Sequence, residues 1–251
     1  MAARPARQRV DLLVVERGHA SSRQKAQALI RAGKVRVGGQ LVDKPGTNVP
    51  ADAELQVESG PRFVSRGGDK LDAAIERFAV AVSGRTAVDL GASTGGFTDC
   101  LLQRGAARVY AVDVGYGQLD WKLRQDDRVV VMERTNARHL QTLPERPELV
   151  VGDLSFISLD RILPAILRIA IPGADAVLLV KPQFEVGRAR VGRGGVVRDE
   201  QARLDAVQHI ADVATALGCT VQGSMESPIR GARKGNVEYL LHLVLPRPEP
   251  T

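Results

Sequence analysis

Residues 86–97, Thr86-Ala-Val-Asp-Leu-Gly-Ala-Ser-Thr-Gly-Gly-Phe97, read as a buried strand that stops at a glycine-rich turn and opens into a helix. A second apolar strand, Arg108-Val-Tyr-Ala-Val-Asp113, follows and also ends in an acid. An α/β sheet holds a nucleoside-bearing ligand with this order of strand, turn, helix, strand and acid. Beyond it, strands and helices alternate. Strands are expected at 129–132, 149–154, 174–181, 219–223 and 237–244, and helices at 69–78, 158–170 and 199–217. The alternation predicts a mostly parallel sheet covered on both faces, a Rossmann-like α/β fold. Ligands of such sheets sit at the carboxyl ends of the strands, where Asp89, Asp113, Asp153 and Lys181 all fall.

The turn itself narrows the ligand. A dinucleotide fingerprint needs G-x-G-x-x-G, but Gly91-Ala-Ser-Thr-Gly95-Gly96 has no glycine two places after the first. A phosphate-binding P-loop needs a lysine after its last glycine, and none follows Gly96. Asp89 stands just before the turn, where it would repel a pyrophosphate and attract a cation. S-adenosylmethionine carries a sulfonium and an ammonium, so it fits. Gly91 and Gly95 would admit the methionine part, with Ser93, Gly96 and Phe97 beside it. Asp113 would accept from the ribose hydroxyls. The segment Glu133–Arg138 would line the adenine pocket, and Asn136 could read an adenine edge or simply serve a turn.

At 251 residues the chain allows one large domain or a medium and a small one. No apolar run approaches the ~20 residues of a membrane span. The first residues are basic and lack an apolar stretch, so a cytoplasmic chain without a signal peptide is expected. Cys100 and Cys219 are expected to be buried free thiols. The four histidines lack metal-ligand spacing, so no metal site is expected. A monomer is the default. Charge is placed unevenly: residues 1–66 hold 12 Lys and Arg against 6 Asp and Glu, while the remainder holds 23 of each. A basic module on a neutral one suggests a polyanion-binding appendage.

In that basic quarter, Arg9–Arg17 reads as a short helix, and Ser21 with Gln24 as the capping box of a second. Lys34–Asp43 reads as a hairpin around Gly38-Gly39, and Ala53–Val57 as a further strand. Four features, the Arg9-x-Asp11-x-Leu13 start, Ser22-Arg23, Ile30-x-x-Gly33-x-Val35-x-Val37-x-Gly39 and Lys44-Pro45, resemble the RNA-binding module of a small-subunit ribosomal protein, the αL motif. The resemblance implies a small α+β RNA-binding domain over 1–58, with Arg23, Lys25, Arg31, Lys34 and Lys44 as contacts. Few aromatics are present, so shape and phosphate recognition fit better than base stacking. Residues 59–67 read as a linker, and 68–251 as the larger domain.

Further motifs in the larger part are Val64-Ser-Arg-Gly-Gly-Asp-Lys-Leu71, Asp113-Val-Gly-Tyr-Gly-Gln-Leu119, Asp153-Leu-Ser-Phe-Ile-Ser158, Lys181-Pro-Gln-Phe-Glu185 and Gly235-Asn-Val-Glu-Tyr239. With the glycine turn, they resemble the FtsJ-type 2′-O-methyltransferases. The whole chain resembles the TlyA family, sometimes labelled hemolysin A. The resemblance implies S-adenosylmethionine as cofactor, with Asp153 also among its contacts, and a catalytic set at Lys70, Asp153, Lys181 and Glu238. It also implies cytidine 2′-hydroxyls of ribosomal RNA as substrate, on the small and large subunits or on the large alone. In some bacteria that modification confers sensitivity to tuberactinomycin-type antibiotics. From spacing alone these lysines and acids could equally form rim ion pairs. Lys181 could act as base or orient the hydroxyl, since Lys70 would disfavour its charge while Asp153 and Glu238 would favour it. Arg66 and the run Gly187–Gly195, with Arg188, Arg190 and Arg193, read as further RNA-facing cations, the run as a lid. A second basic loop is Arg230–Asn236. The alternatives are a non-catalytic RNA-binding or ribosome-assembly factor and a membrane-active hemolysin.

Overall fold

A computed structural model describes residues 6–58, 60–187, 190–231 and 235–247. The chain divides into two compact units, Met1–Arg62 and Phe63–Thr251. The division falls inside the stretch 59–67 expected to be a linker.

The first unit contains β1 (Arg7–Arg9), α1 (Val10–Glu16), α2 (Arg23–Arg31), β2 (Val35–Val37), β3 (Gln40–Leu41), β4 (Asn48–Pro50) and β5 (Leu55–Val57). β1 pairs antiparallel with β4, and β2 lies between β3 and β5. Val10, Leu13, Val14, Ala26, Ile30, Val35 and Val49 form its core. The cap of α2 differs from expectation by one residue. Ser22 is the N-cap, and its Oγ accepts from Lys25 N at 3.3 Å. Ser21 instead accepts from Lys25 Nζ at 2.9 Å.

The second unit begins with α3 (Gly67–Phe78), β6 (Thr86–Leu90), α4 (Gly96–Gln103), β7 (Arg108–Val112), α5 (Trp121–Arg124), β8 (Val129–Met132) and β9 (Leu149–Gly152). It continues with α6 (Leu163–Ile169), β10 (Asp175–Val180), α7 (Pro182–Glu185), α8 (Glu200–Ala216), β11 (Thr220–Glu226) and β12 (Tyr239–Val244). The seven strands lie in the order β11-β12-β10-β9-β6-β7-β8. β8, β7, β6, β9 and β10 are parallel, and β12 is inserted antiparallel between β10 and β11. Alternate residues feed two cores: Val88 and Leu90 join the cluster on one face, Ala87 that on the other. Burial on both faces explains the near-continuous apolar strands. Cys100 and Cys219 are buried thiols, not joined in a disulfide.

Two further expectations change. The helix expected at 158–170 is a 3₁₀ turn at Leu159–Arg161 followed by α6. Pro164 has no N–H to continue a helix from the preceding turn, and it is accepted only where a new one starts. Phe63 to Arg66, expected in the linker, belong to the second unit. Phe63 is buried within its core, and Val64 N donates to the buried Asp99 carboxylate at 2.9 Å.

Candidate active site

Between the carboxyl ends of β6, β9 and β10 lies an open cleft, into which α3 also projects. Lys70, Gly91, Phe97, Asp153, Ser155 and Lys181 are among its lining residues. The four residues expected to be catalytic come from four distant places: Lys70 on α3, Asp153 after β9, Lys181 after β10 and Glu238 just before β12. They meet as two ion pairs. Lys70 Nζ lies 2.5 Å from Glu238 Oε2, and both residues are buried. Lys181 Nζ lies 2.6 Å from Asp153 Oδ1 and donates to Ser155 Oγ at 2.8 Å. Lys70, Asp153 and Lys181 face the cleft, and Glu238 stands behind Lys70. A charge held in a poorly solvated site acts on a ligand more strongly than one in water.

The glycine turn lines the same cleft, against the loop that carries Asp153. Its glycines make room for protein more than for a ligand, which corrects the sequence reading of Gly95. Gly95 has φ +99°, and a Cβ there would come within 2.2 Å of the Leu123 side chain on α5. Gly91 has φ +86°, and a Cβ would meet the Asp153 carbonyl at 2.8 Å. Only glycine allows this turn to lie against the β9 loop and α5. Gly91, Ser93, Gly96 and Phe97 line the cleft; Gly95 does not.

A narrow recess adjoins the cleft through Ala92 and Ser93 and contains Asp113, Gln118 and Glu133. Asp113 is half-buried there. It accepts from Ser93 N at 2.8 Å and from Gly115 N at 2.7 Å, which fixes the carboxylate and pins the turn. Asn136 lines neither space. Its Oδ1 caps the following 3₁₀ turn by accepting from Arg138 N at 3.0 Å. The residue of that segment that reaches the recess is Glu133, which accepts from Gly117 N at 2.8 Å and from Arg124. Nothing in the spacing distinguished Glu133 from its neighbours. Ser155, inside the Asp153–Ser158 motif but not singled out within it, also lines the cleft, as does Ile229, which carried no earlier signal.

Asp89 departs furthest from its expected place. It is fully buried and does not line the cleft. Its Oδ2 accepts from Thr98 N at 2.9 Å and Thr98 Oγ1 at 2.7 Å, tying the end of β6 to the start of α4. Its Oδ1 is buried with no hydrogen-bond partner. Burial pushes this carboxyl up to about 7, against the hydrogen bonds from Thr98, and the charges of Asp153 and Asp113 push it further the same way.

The expected RNA contacts sort unevenly. In the first unit Lys25, Arg31 and Lys44 are exposed and Lys34 is half-buried. Arg23 is engaged inside its own unit: its Nε donates to the buried Asp11 at 2.9 Å. Arg9 and Gln27 bond the same carboxylate. Arg9 chiefly, with Gln27 and Arg23, holds Asp11 well below the usual carboxylate range, against its burial. In the second unit Arg66 lines the cleft, as does Arg230 from the second basic loop. Arg188 lies outside the described residues. Arg190 pairs with Asp205 at 2.8 Å, and Arg193 is exposed. The run expected to be a lid closes on itself where it is described, through a Gly192–Val196 bridge. It is tied to Asn236, whose Nδ2 donates to Gly195 O at 2.8 Å.

Among the described residues no helix is long and apolar enough to cross a membrane. Nor do three or more His, Cys, Asp or Glu among them gather so as to hold a metal ion.

Comparison with known proteins accords with this architecture. Residues 63–245 match the FtsJ-like methyltransferase family, and residues 8–55 match the S4 domain. Over 241 residues the chain is 55% identical to the 16S/23S rRNA (cytidine-2′-O)-methyltransferase TlyA of Mycobacterium tuberculosis, covering 94% of this chain and 90% of that one. Over 183 residues it is 35% identical to the 23S rRNA (cytidine-2′-O)-methyltransferase TlyA of Campylobacter jejuni, covering 72% and 71%. A solved structure from Streptococcus thermophilus, described as a hemolysin, matches with a TM-score of 0.72 at 43% identity, over 96% of this chain and 89% of that one. The chain thus belongs to the FtsJ-like methyltransferase family, with an S4 domain preceding the methyltransferase unit.

Proposed function

We propose that this protein methylates the ribose 2′-hydroxyl of a cytidine in ribosomal RNA, using S-adenosylmethionine. The observation that carries the reading is the pair of lysine–acid contacts facing one cleft beside the glycine turn. The relatives named above act on cytidine 2′-oxygens of ribosomal RNA. The S4 domain supplies a basic module suited to structured RNA.

The residues present fit this cofactor. Asp89 lies buried beneath the turn with Oδ1 unpartnered, so it favours a cation at the turn through its charge and not by contact. Asp113 keeps a half-exposed carboxylate in the adjoining recess, placed to accept from ribose hydroxyls. The candidate holding residues are therefore Gly91, Ser93, Gly96, Phe97, Asp113 and Asp153 at the cleft and its recess, with Asp89 fixing the turn from beneath. When bound, S-adenosylmethionine supplies a methyl on a sulfonium, an electrophile that needs no further activation. As the new C–O bond forms, the C–S bond breaks, sulfur keeps its electron pair and the hydroxyl loses its proton.

The chain's part is to align the hydroxyl, exclude water and move that proton. Alignment can lower a barrier by about 7–11 kcal/mol, and a positioned base typically adds about 10²–10⁴-fold. Lys181, gripped by Asp153 and Ser155, donates to the 2′-oxygen and holds it. The proton leaves through the Asp153 carboxylate, which lines the same cleft. Glu238 holds Lys70 beside them. Arg66 and Arg230 at the cleft offer cations to the RNA backbone.

The test is transfer of tritium from labelled S-adenosylmethionine to ribosomal RNA or isolated subunits. Lys181→Ala and Glu238→Ala are expected to lose transfer by about 10²-fold or more while keeping RNA affinity. Wild-type protein that transfers no methyl to RNA or to either subunit overturns the proposal. Mapping ribose methylations in cells with and without the protein then identifies the nucleotide.

A further inference from the structure

We propose that Ser155 positions the Lys181 amine, fixing the direction in which it meets the acceptor oxygen. The inference rests on the methyltransferase reading above and extends it to a residue outside the lysine–acid set.

An ammonium has three N–H groups in fixed tetrahedral directions, on a four-carbon stem with many rotamers. A nearby charge draws such a group in without fixing its rotation, whereas a hydrogen bond fixes one of its directions. Lys181 Nζ lies 2.6 Å from Asp153 Oδ1 as an ion contact without hydrogen-bond geometry, and its directed bond runs to Ser155 Oγ at 2.8 Å. Lys181 itself lines the cleft, so the direction that Ser155 fixes is set where an acceptor oxygen would enter. Asp153 supplies the charge and Ser155 the bond that aims the group. The serine is suited to this, because its hydroxyl accepts from the amine without adding a second negative charge beside Asp153.

The loop that carries Ser155 is built to hold it there. Asp153 and Ser155 are two residues apart, the spacing that puts side chains on one side of an extended chain. Phe156 follows with φ +66°, a left-handed conformation uncommon for an aromatic residue, and its side chain is largely exposed. Its ring packs on Phe184 with centroids 5.2 Å apart. Ser158 Oγ donates to Glu185, which also accepts from Leu159 N at 3.1 Å. Phe184 and Glu185 belong to α7, the helix that starts directly after Lys181. The loop bearing Ser155 and the segment bearing Lys181 are thus fastened together at two further points.

Ser155→Ala and Ser155→Thr test this in the tritium assay, with calorimetric binding of S-adenosylmethionine as a check on folding. Ser155→Ala is expected to lower kcat about 10-fold or more, leaving KM for both substrates within about 2-fold. Ser155→Thr, which keeps the hydroxyl, is expected to restore most of the rate. A second readout needs no turnover: reductive methylation of Lys181 by formaldehyde and cyanoborohydride, followed by mass spectrometry against surface lysines. Losing the Ser155 bond is expected to speed Lys181 labelling several-fold, since a freed amine is the more reactive nucleophile. Wild-type kcat in Ser155→Ala, a change confined to KM, or unchanged Lys181 labelling each overturns the assignment. Wild-type protein without methyl transfer instead overturns the methyltransferase reading, and the labelling comparison still decides whether Ser155 holds Lys181.

Discussion

At the scale of single residues, Asp89 makes the sharpest statement about chemistry and pH. Its carboxyl titrates at about 7 in the fold because it is buried, with Asp153 and Asp113 nearby. In the unfolded chain it titrates near 3.9. Between about pH 4 and 7 the native protein therefore keeps a proton that the unfolded chain gives up. Stability falls as pH rises through that window and levels off above it. The contribution is at most about 4 kcal/mol. Denaturation at pH 5 and pH 8 should show a clear loss in wild type and a smaller one in Asp89→Asn; equal losses would remove Asp89 as the cause. A cationic cofactor near Oδ1 favours the carboxylate, so binding of S-adenosylmethionine at pH 7 is expected to release part of a proton. Calorimetry in buffers of different ionisation enthalpy measures it, and Asp89→Asn should abolish it. The sequence marked Asp89 by its place before the turn, but not that burial hides it from the cleft. It also marked Lys70, Asp153, Lys181 and Glu238, because their motifs are distinctive. Ser155 lies inside the Asp153–Ser158 motif and Glu133 inside the segment expected to line the adenine pocket, yet neither stood out from its neighbours. Their placement depends on how loops from separate strands meet, and no local pattern encodes that.

At the scale of elements, the sequence was most legible where periodicity ran long. The parallel strands and α8 stand within a few residues of expectation, because buried strands are continuous apolar runs and a 17-residue helix repeats its pattern several times. β1 and β4 were illegible, since three-residue strands that pair across 40 positions leave no local alternation to read. α5 and α7, at four residues each, are too short for a helical period. The cap of α2 offers a direct test of one reading against another. The capping box favoured Ser21, whereas the fold uses Ser22 Oγ to accept from Lys25 N. Ser22→Ala should therefore destabilise the first unit by about 1 kcal/mol, as loss of a serine cap does. Ser21→Ala removes an exposed contact with Lys25 Nζ and should cost less than about 0.5 kcal/mol. Chemical denaturation followed by circular dichroism separates the two, and equal effects would refute the assignment of the cap.

At the scale of the whole molecule, two units with separate cores divide the work, and their charge predicts how. The excess positive charge of the chain lies within residues 1–66. An S4 unit that grips RNA through phosphates releases counterions, so affinity falls with salt at a slope set by the number of contacts. The cations of that unit do not count equally. Lys25, Arg31 and Lys44 are exposed and Lys34 half-buried, whereas Arg23 shares the buried Asp11 with Arg9 and Gln27. Alanine at Lys25, Arg31, Lys34 or Lys44 should weaken binding and lower the slope of log K against log salt by about 0.7–0.9 each. Arg23→Ala should instead loosen the Asp11 cluster and lower the melting temperature, with any loss of RNA affinity following from the damaged fold. Removing residues 1–58 leaves the second unit its own two-faced core, so the shortened chain should fold and keep the cleft. It should still bind S-adenosylmethionine, while its affinity for ribosomal RNA and the salt slope both drop. A shortened chain that binds the RNA as tightly, with the same slope, would place RNA recognition in the methyltransferase unit and leave the S4 domain without that role.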